Sequence, residues 1–290
     1  MGSLATRRVS GWHTALKLGR VSNLPTVWSN VIAASALAGG ASLRTMGLAA
    51  GASSLLYVGG MFLNDAFDSE IDARERPERP IPAGEVSAGV VFVAGFALLG
   101  AGVALLATLN WQAGAVGVVL AVAIVLYDRF HKGNPLGPWL MGLCRALVYV
   151  AAGMAAVAVL PQSVLLGALA LLAYVAGLSY TARLEALDRI GNLWPLVLLA
   201  APAGLALLWF KPTPAMIASF VALVAGGYWI AQLLQRRLPG DVGRAVTLMI
   251  AGISVNDALL AATTGVPYAP VACLACFGLT LLLQRHVPAT

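Results

Sequence analysis

Acidic side chains are concentrated where one long apolar segment of the 290-residue chain ends. Asn64, Asp68 and Asp72 are spaced i, i+4, i+8, so on one helix they share a face, and Asp65 flanks them. Carboxylates this close repel one another unless cations lie between them. A set of oxygen-only ligands favours Mg²⁺, which commonly bridges to phosphates. The alternative is a solvated helix end, but acidic residues emerging directly from an apolar helix are costly and are seldom incidental.

Arginine residues follow the acidic stripe directly. Arg74, Arg76 and Arg79 supply planar guanidinium donors that suit phosphate oxygens. Pro80 and Pro82 end the helix and stiffen the loop that follows. The segment therefore predicts a site where a divalent cation and arginine side chains bind a phosphorylated ligand.

Composition indicates which class of protein holds this site. Hydrophobic residues make up 60% of the chain, charged residues only 10%, and the mean hydropathy is +0.85. An ordinary globular domain has about 25% charged residues, so the composition excludes a soluble protein. It also excludes disorder, which requires low hydrophobicity, and disfavours an outer-membrane barrel, which has short alternating segments. We therefore expect an all-α polytopic transmembrane bundle.

Apolar segments of about 20 residues, the length that crosses a bilayer, divide the chain into candidate spans. They are 22–42, 46–66, 87–108, 111–128, 139–160, 163–181, 192–210, 214–234, 244–263 and 267–284. The ninth is the weakest because it contains Asn256 and Asp257. This polar pair either has a functional role or forms a hydrogen bond between helices. We predict nine or ten spans in a single domain, 1–290, with 1–20 as a cytoplasmic or interfacial segment.

Basic residues orient these spans. If the N-terminus is cytoplasmic, every Lys and Arg except Arg44, Lys211 and Arg145 falls on the cytoplasmic side, as the positive-inside rule requires. The acidic stripe then lies at the cytoplasmic surface. The basic pI of about 9.5 follows from this bias, so no nucleic-acid partner is expected.

The acidic stripe and the loop after it resemble the first signature of the UbiA superfamily of intramembrane prenyltransferases. They read NDAFDSEID at 64–72 and RPIPAG at 79–84. The resemblance implies about nine membrane helices around a central cavity. It also implies two Mg²⁺ ions, an isoprenyl diphosphate donor and a lipophilic acceptor, expected to be aromatic, all within the lipid bilayer.

The resemblance further assigns residue roles. The expected metal ligands are Asn64, Asp65, Asp68, Asp72, Glu185 and Asp188. The last two depart from the family's second motif, which often has two aspartates four residues apart, because Glu185 and Asp188 are three apart. They still share a helix face. Asp68, Asp72 and Asp188 are the expected catalytic residues.

Basic and phenolic residues complete the expected site. The predicted diphosphate contacts are Arg74, Arg79, Tyr127, Lys132, Arg145 and Arg183. Arg145 lies inside the fifth span, so it should face the bundle interior and meet an acidic or phosphate partner. Arg20 and Asn30, near the start of the first span, are the expected acceptor contacts.

Two other classes of membrane protein also use acidic clusters. A transporter or ion carrier could bind cations at them, but its site should lie near the bilayer midplane on broken helices rather than at helix ends. Another membrane transferase acting on a diphosphate-linked lipid is the second alternative. The sequence pattern of the CDP-alcohol phosphotransferase type is absent.

Overall fold

The computed structural model describes residues 11–185, 194–236 and 238–287, which form helices joined by short loops and contain no strand. Short 3₁₀ helices occur at Val21–Asn23 and Trp194–Ala200. The α-helices are α1 (Gly11–Leu18), α2 (Leu24–Leu37), α3 (Leu43–Phe67), α4 (Ser69–Glu75), α5 (Ala88–Ala107), α6 (Trp111–Phe130), α7 (Gly137–Ala156), α8 (Gln162–Glu185), α9 (Ala201–Leu208), α10 (Pro214–Arg236), α11 (Asp241–Ala262) and α12 (Tyr268–Leu283).

Within the described ranges, seven helices are long and apolar enough to cross a membrane: α3, α5, α6, α7, α8, α10 and α11. The all-α membrane bundle predicted from composition is thus confirmed. The other three predicted spans coincide with shorter helices, α2, α9 and α12. Their lengths have local causes. α2 ends before Gly39 and Gly40, both at positive φ, while Pro202 lies in the first turn of α9 and Pro267 precedes α12.

Close backbone contact fixes α3, which carries the acidic stripe, against α5. A Cβ atom on Gly59 would come within 2.9 Å of the carbonyl oxygen of Gly95, and one on Gly102 would come within 2.7 Å of Leu56 Cγ. Small residues let membrane helices approach in this way. The end of α3 is therefore held in a defined position.

The acidic stripe does not lie on one continuous helix. α3 ends at Phe67, Asp68 forms the turn, and α4 begins at Ser69. The amide of Ile71 bonds to the carbonyl oxygen of Asp68 at 2.9 Å, which is the tighter spacing of a helix boundary. Aspartate favours such boundaries over helix interiors. The i, i+4, i+8 spacing of Asn64, Asp68 and Asp72 nevertheless continues across this boundary, because the Asp68 amide bonds to the Asn64 carbonyl oxygen at 3.0 Å and the Asp72 amide bonds to the Asp68 carbonyl oxygen at 2.8 Å.

α11 lies at the centre of the bundle and α10 at its edge. In the most apolar window of α11, 78% of the residues are buried, against 17% for α10. α11 packs against α2, α8, α10 and α12. Its two polar residues, Asn256 and Asp257, are consequently enclosed by protein.

Candidate active site

A cavity of about 390 Å³ opens among α3, α6, α7, α8 and α11 at the end of the bundle where α3 and α6 finish and α7 begins. We call this the acidic end. The rim of the cavity includes Arg20, Asp128, His131 and Arg183, and Arg145 lies on its deeper wall. Most of the remaining lining is apolar. The cavity therefore has a charged mouth and an apolar interior.

Two arginine side chains contact the first and the last carboxylate of the stripe, Asp65 and Asp72. Arg20 Nη2 lies 3.1 Å from Asp65 Oδ1, and Arg79 Nη1 lies 3.2 Å from the same oxygen. Arg79 Nη1 also contacts Asp72 Oδ2 at 2.7 Å. Although α3 and α4 are separate helices, Arg79 thus joins Asp65 on one to Asp72 on the other. Arg20 itself has a left-handed backbone, with φ of 42°.

Asp68 is held by the loop after α6. Lys132 Nζ lies 3.3 Å and His131 Nε2 lies 3.6 Å from Asp68 Oδ2. Burial lowers the pKa of His131, which favours the neutral imidazole, while the charge of Asp68 opposes this shift. The ring of Tyr127 stacks on His131 with centroids 4.7 Å apart. Arg183 Nη2 donates to the His131 carbonyl oxygen at 2.8 Å, which links α8 to this loop.

Asp128 is a buried carboxylate that sequence reasoning missed. It lies in the last turn of α6, lines the cavity, and is 3% exposed. Asn64 Nδ2 donates to its Oδ1 at 3.3 Å, but its Oδ2 has no hydrogen-bond partner among the described residues. An acidic residue at the end of an apolar helix is the signal that identified Asp68, and it would also have identified Asp128.

The other predicted site residues divide into three groups. Arg74 is exposed and donates to the Glu70 carbonyl oxygen at 3.4 Å, while Arg76 lines the cavity. Asp188 lies outside the described residues, and of Glu185 only the backbone, at the end of α8, is described. Arg145 and Asn30 form a separate cluster deeper in the bundle.

In this deeper cluster, Arg145 Nη1 donates to Asn30 Oδ1 at 3.0 Å and Nη2 donates to Thr26 Oγ1 at 3.1 Å. Asn30 Nδ2 in turn donates to Asp257 Oδ2 at 2.7 Å. We expected an acidic or phosphate partner for Arg145. Among the described residues, its direct partners are instead neutral. Arg20 and Asn30, expected together at the acceptor, lie in different clusters.

The donor set at the acidic end suits a hard divalent cation. Oxygen ligands are available from the three carboxylates of the stripe, from Asn64 and from Asp128. The Asp128 oxygen without a hydrogen-bond partner among the described residues would be satisfied by a bound cation. However, no three acidic, His or Cys side chains within the described ranges converge closely enough to hold a metal ion. Basic side chains lie against the stripe carboxylates instead. Metal binding therefore requires some of these basic groups to withdraw.

The helical bundle holds a cavity with a charged mouth, and sequence comparison gives the family of the chain. The profile of the UbiA prenyltransferase family matches residues 22–192. The chain belongs to this family.

Curated relatives in archaea carry the name digeranylgeranylglyceryl phosphate synthase. The protein from Natronomonas pharaonis is 40% identical over 100 residues, which cover 34% of this chain and 36% of that protein. The protein from Methanopyrus kandleri is 31% identical over 121 residues, which cover 42% and 45%. The chain thus aligns with less than half the length of these relatives.

Solved structures share the fold over nearly the whole chain. A UbiA homologue from Aeropyrum pernix matches with a TM-score of 0.64 and 19% identity, covering 87% of this chain and 98% of that one. A homologue from Archaeoglobus fulgidus bound to GPP and Mg²⁺ matches with a TM-score of 0.54 and 14% identity, covering 94% and 99%. At these identities the likeness establishes the fold alone.

Proposed function

We propose that the protein transfers a prenyl group from an isoprenyl diphosphate to a lipophilic acceptor within the membrane, with Mg²⁺ as cofactor. The observation that carries this proposal is the cavity mouth, where buried carboxylates and basic side chains meet an apolar interior. A diphosphate with a hydrocarbon tail has the same two parts. Family membership and the GPP and Mg²⁺ bound to the A. fulgidus homologue support the assignment.

Mg²⁺ bound to Asn64, the stripe carboxylates and Asp128 would neutralise the diphosphate and favour its departure. A second ion, expected from the family, would require Glu185 and Asp188. Arg79 and Lys132, which contact the stripe carboxylates, are then available to donate to diphosphate oxygens. Arg76 and Arg183 line the same cavity and extend this set of donors.

The reaction breaks the bond between the allylic carbon and the diphosphate oxygen, and the electron pair leaves with the diphosphate. The fixed guanidinium and ammonium groups stabilise the negative charge that develops on this oxygen. A nucleophilic carbon or oxygen of the acceptor then bonds to the allylic cation and loses a proton, which the released diphosphate takes up. The apolar cavity wall, including Val148 and Ile253, excludes water that would otherwise quench the cation.

The acceptor has two candidate classes. The family resemblance leads us to expect an aromatic compound, whereas the names of the archaeal relatives favour a glycerol phosphate lipid. Both classes are lipophilic or lie at the membrane surface. They are separated by the acceptor assays below.

Enzyme turnover with radiolabelled geranylgeranyl diphosphate and Mg²⁺ tests the proposal. Purified protein in lipid nanodiscs should form a prenylated product with a phenolic acid or with a glycerol phosphate lipid. Chelation of Mg²⁺ should abolish the product. Mg²⁺ flux into proteoliposomes, without Mg²⁺-dependent binding of a prenyl diphosphate, would instead favour the ion-carrier alternative.

We also propose that residues 1–290 act as one membrane domain with the N-terminus and the acidic end in the cytoplasm. The distribution of basic residues supports this orientation. Cysteine introduced at exposed Glu78 should react with a membrane-impermeant maleimide only from the cytoplasmic side of sealed vesicles.

A further inference from the structure

We propose that Arg145 forms an anion-binding subsite for the acceptor, and that Asn30 and Asp257 hold it in position. This inference rests on the proposed prenyl transfer. It adds that the acceptor carries an anionic oxygen group, either a carboxylate or a phosphate, and that this group binds on the deeper wall of the cavity.

Arg145 has hydrogen-bonding capacity to spare. Its two observed hydrogen bonds go to the neutral acceptors Asn30 and Thr26, and its Cζ lies 5.5 Å from the centre of the Tyr57 ring. A guanidinium carries five N–H donors. No described acidic side chain comes within 4.0 Å of it to form an ion pair. Arg145 thus presents a positive charge and further donors to the cavity that it lines.

The location of Arg145 makes this charge significant. It lies eight residues after the start of α7, close to the middle of that helix and about 12 Å along it. An ionisable side chain at such a depth is costly and marks a functional site by default. A planar guanidinium is also the side chain best suited to bind a carboxylate or phosphate through two parallel hydrogen bonds.

Asp257 explains how the guanidinium is held. Its carboxylate accepts hydrogen bonds from Ser29 Oγ at 2.6 Å, from Asn30 Nδ2 at 2.7 Å, and from the Tyr149 hydroxyl. Asp257 and these three partner side chains are all buried. Because the amide nitrogen of Asn30 faces the carboxylate, its amide oxygen faces Arg145. The buried negative charge is therefore satisfied within the protein and fixes the orientation of the arginine.

The acceptor is a better occupant than the diphosphate. Arg20, Arg79 and Lys132 already gather at the acidic end, where the proposed metal ligands lie. Arg145 shares no hydrogen bond or ion pair with that cluster among the described residues; its partners are on α2. The structure therefore joins Asn30, the residue expected at the acceptor, to Arg145 and joins Arg20 to the metal site. A cavity with a cation at each of two depths fits two anionic groups, one on each substrate.

Binding measurements on purified protein test the subsite. Thermal stabilisation is measured with 4-hydroxybenzoate and its methyl ester, and with a glycerol phosphate ether lipid and the same lipid without its phosphate. We expect wild type to bind at least one anionic probe more tightly than its neutral counterpart. Arg145→Gln should weaken binding of that probe by roughly 30-fold or more and remove the preference. The probe that responds distinguishes a carboxylate from a phosphate.

Binding of a prenyl donor analogue separates this inference from the proposed function. Mg²⁺-dependent binding of a geranylgeranyl thiodiphosphate analogue should be unchanged in Arg145→Gln. Arg129→Gln is the matched control, because Arg129 is exposed and lies outside the cavity lining. If wild type shows no preference for either anionic probe while the donor analogue binds, the subsite is wrong and the prenyl transfer stands. If Arg145→Gln loses the donor analogue instead, Arg145 belongs to the diphosphate site. If wild type fails to bind the donor analogue, the proposed function itself fails.

Asp257 is tested as a positioning residue. Asp257→Asn should raise the KM for the responding anionic acceptor about tenfold and leave the KM for the donor unchanged, because the Asn30 amide is no longer fixed. Tyr149→Phe removes another hydrogen bond to the same carboxylate but not the one to Asn30. It should therefore affect the acceptor KM far less. Equal effects of the two variants on both substrates would indicate a structural role only and overturn this part of the inference.

Discussion

Replacing Arg79 with Gln should destabilise the protein without Mg²⁺ and should increase the stabilisation that Mg²⁺ provides. Arg79 joins Asp65 and Asp72, and these carboxylates are also proposed metal ligands. Removing the guanidinium leaves two buried acidic groups with less compensating charge. It also removes the group that a metal ion must displace from Asp72.

The size of the effect follows from burial. The side chains of Arg79, Asp65 and Asp72 are 16%, 8% and 4% exposed. Breaking a fully buried ion pair by removing one partner costs about 3–5 kcal/mol. Since Arg79 is partly exposed and Arg20 still contacts Asp65, we expect about 2 kcal/mol. At about 2–4 °C per kcal/mol, the melting temperature should fall by roughly 4–8 °C.

The assay is thermal unfolding in nanodiscs, with and without Mg²⁺. A ligand at about 100 times its Kd adds about 2.7 kcal/mol of stability, so saturating Mg²⁺ should recover the whole loss in Arg79→Gln. The same ion should stabilise wild type less, because it must displace Arg79. Arg74→Gln is the control, because Arg74 is exposed and contacts only backbone in the described structure. An equal response to Mg²⁺ in all three proteins would refute the idea that Arg79 and the metal share carboxylates.

Three further variants test other parts of the site. Asp68→Asn should lower prenyl transfer by orders of magnitude while the protein stays folded; near-normal turnover would contradict the proposed chemistry. Asp128→Asn should weaken Mn²⁺ binding, read by electron paramagnetic resonance, about tenfold, and an unchanged affinity would exclude Asp128 as a ligand. Gly142→Ala should cost about 1–3 kcal/mol of unfolding free energy, because its Cβ would lie 2.5 Å from the Leu172 carbonyl oxygen, whereas Gly226→Ala, with open space, should not.

Local patterns in the sequence predicted the membrane bundle and one side of the site. Apolar length located the seven described helices that are long enough to cross a membrane, and the three shorter helices α2, α9 and α12, because burial in lipid constrains every residue of a span. The acidic stripe located one side of the charged cavity mouth, and Arg79, which was expected to bind the diphosphate, contacts two of its carboxylates. The break at Asp68 was not predicted, since the spacing of Asn64, Asp68 and Asp72 is equally compatible with an unbroken helix.

Contacts between distant segments could not be predicted from one sequence. Asn30 and Asp257 are separated by 227 residues and meet only because α2 and α11 pack together. The sequence shows that each of Asn30, Arg145 and Asp257 is out of place in an apolar segment, but not which polar groups pair. Arg20 is a similar case, because its contact with Asp65 depends on how the chain turns before α2.

The two charged clusters also differ in when they can assemble during translation. Among the described residues, the contacts of the stripe carboxylates involve only positions from Arg20 to Lys132, so these contacts can form once α6 and its loop have left the ribosome. The hydrogen bonds from Arg145 to Asn30 and from Asn30 to Asp257 cannot both form until α11, near the end of the chain, has been synthesised. Until then, a nascent chain holds an arginine in the bilayer without its anchoring carboxylate. Chains that stall before α11 should therefore be favoured substrates for membrane quality control.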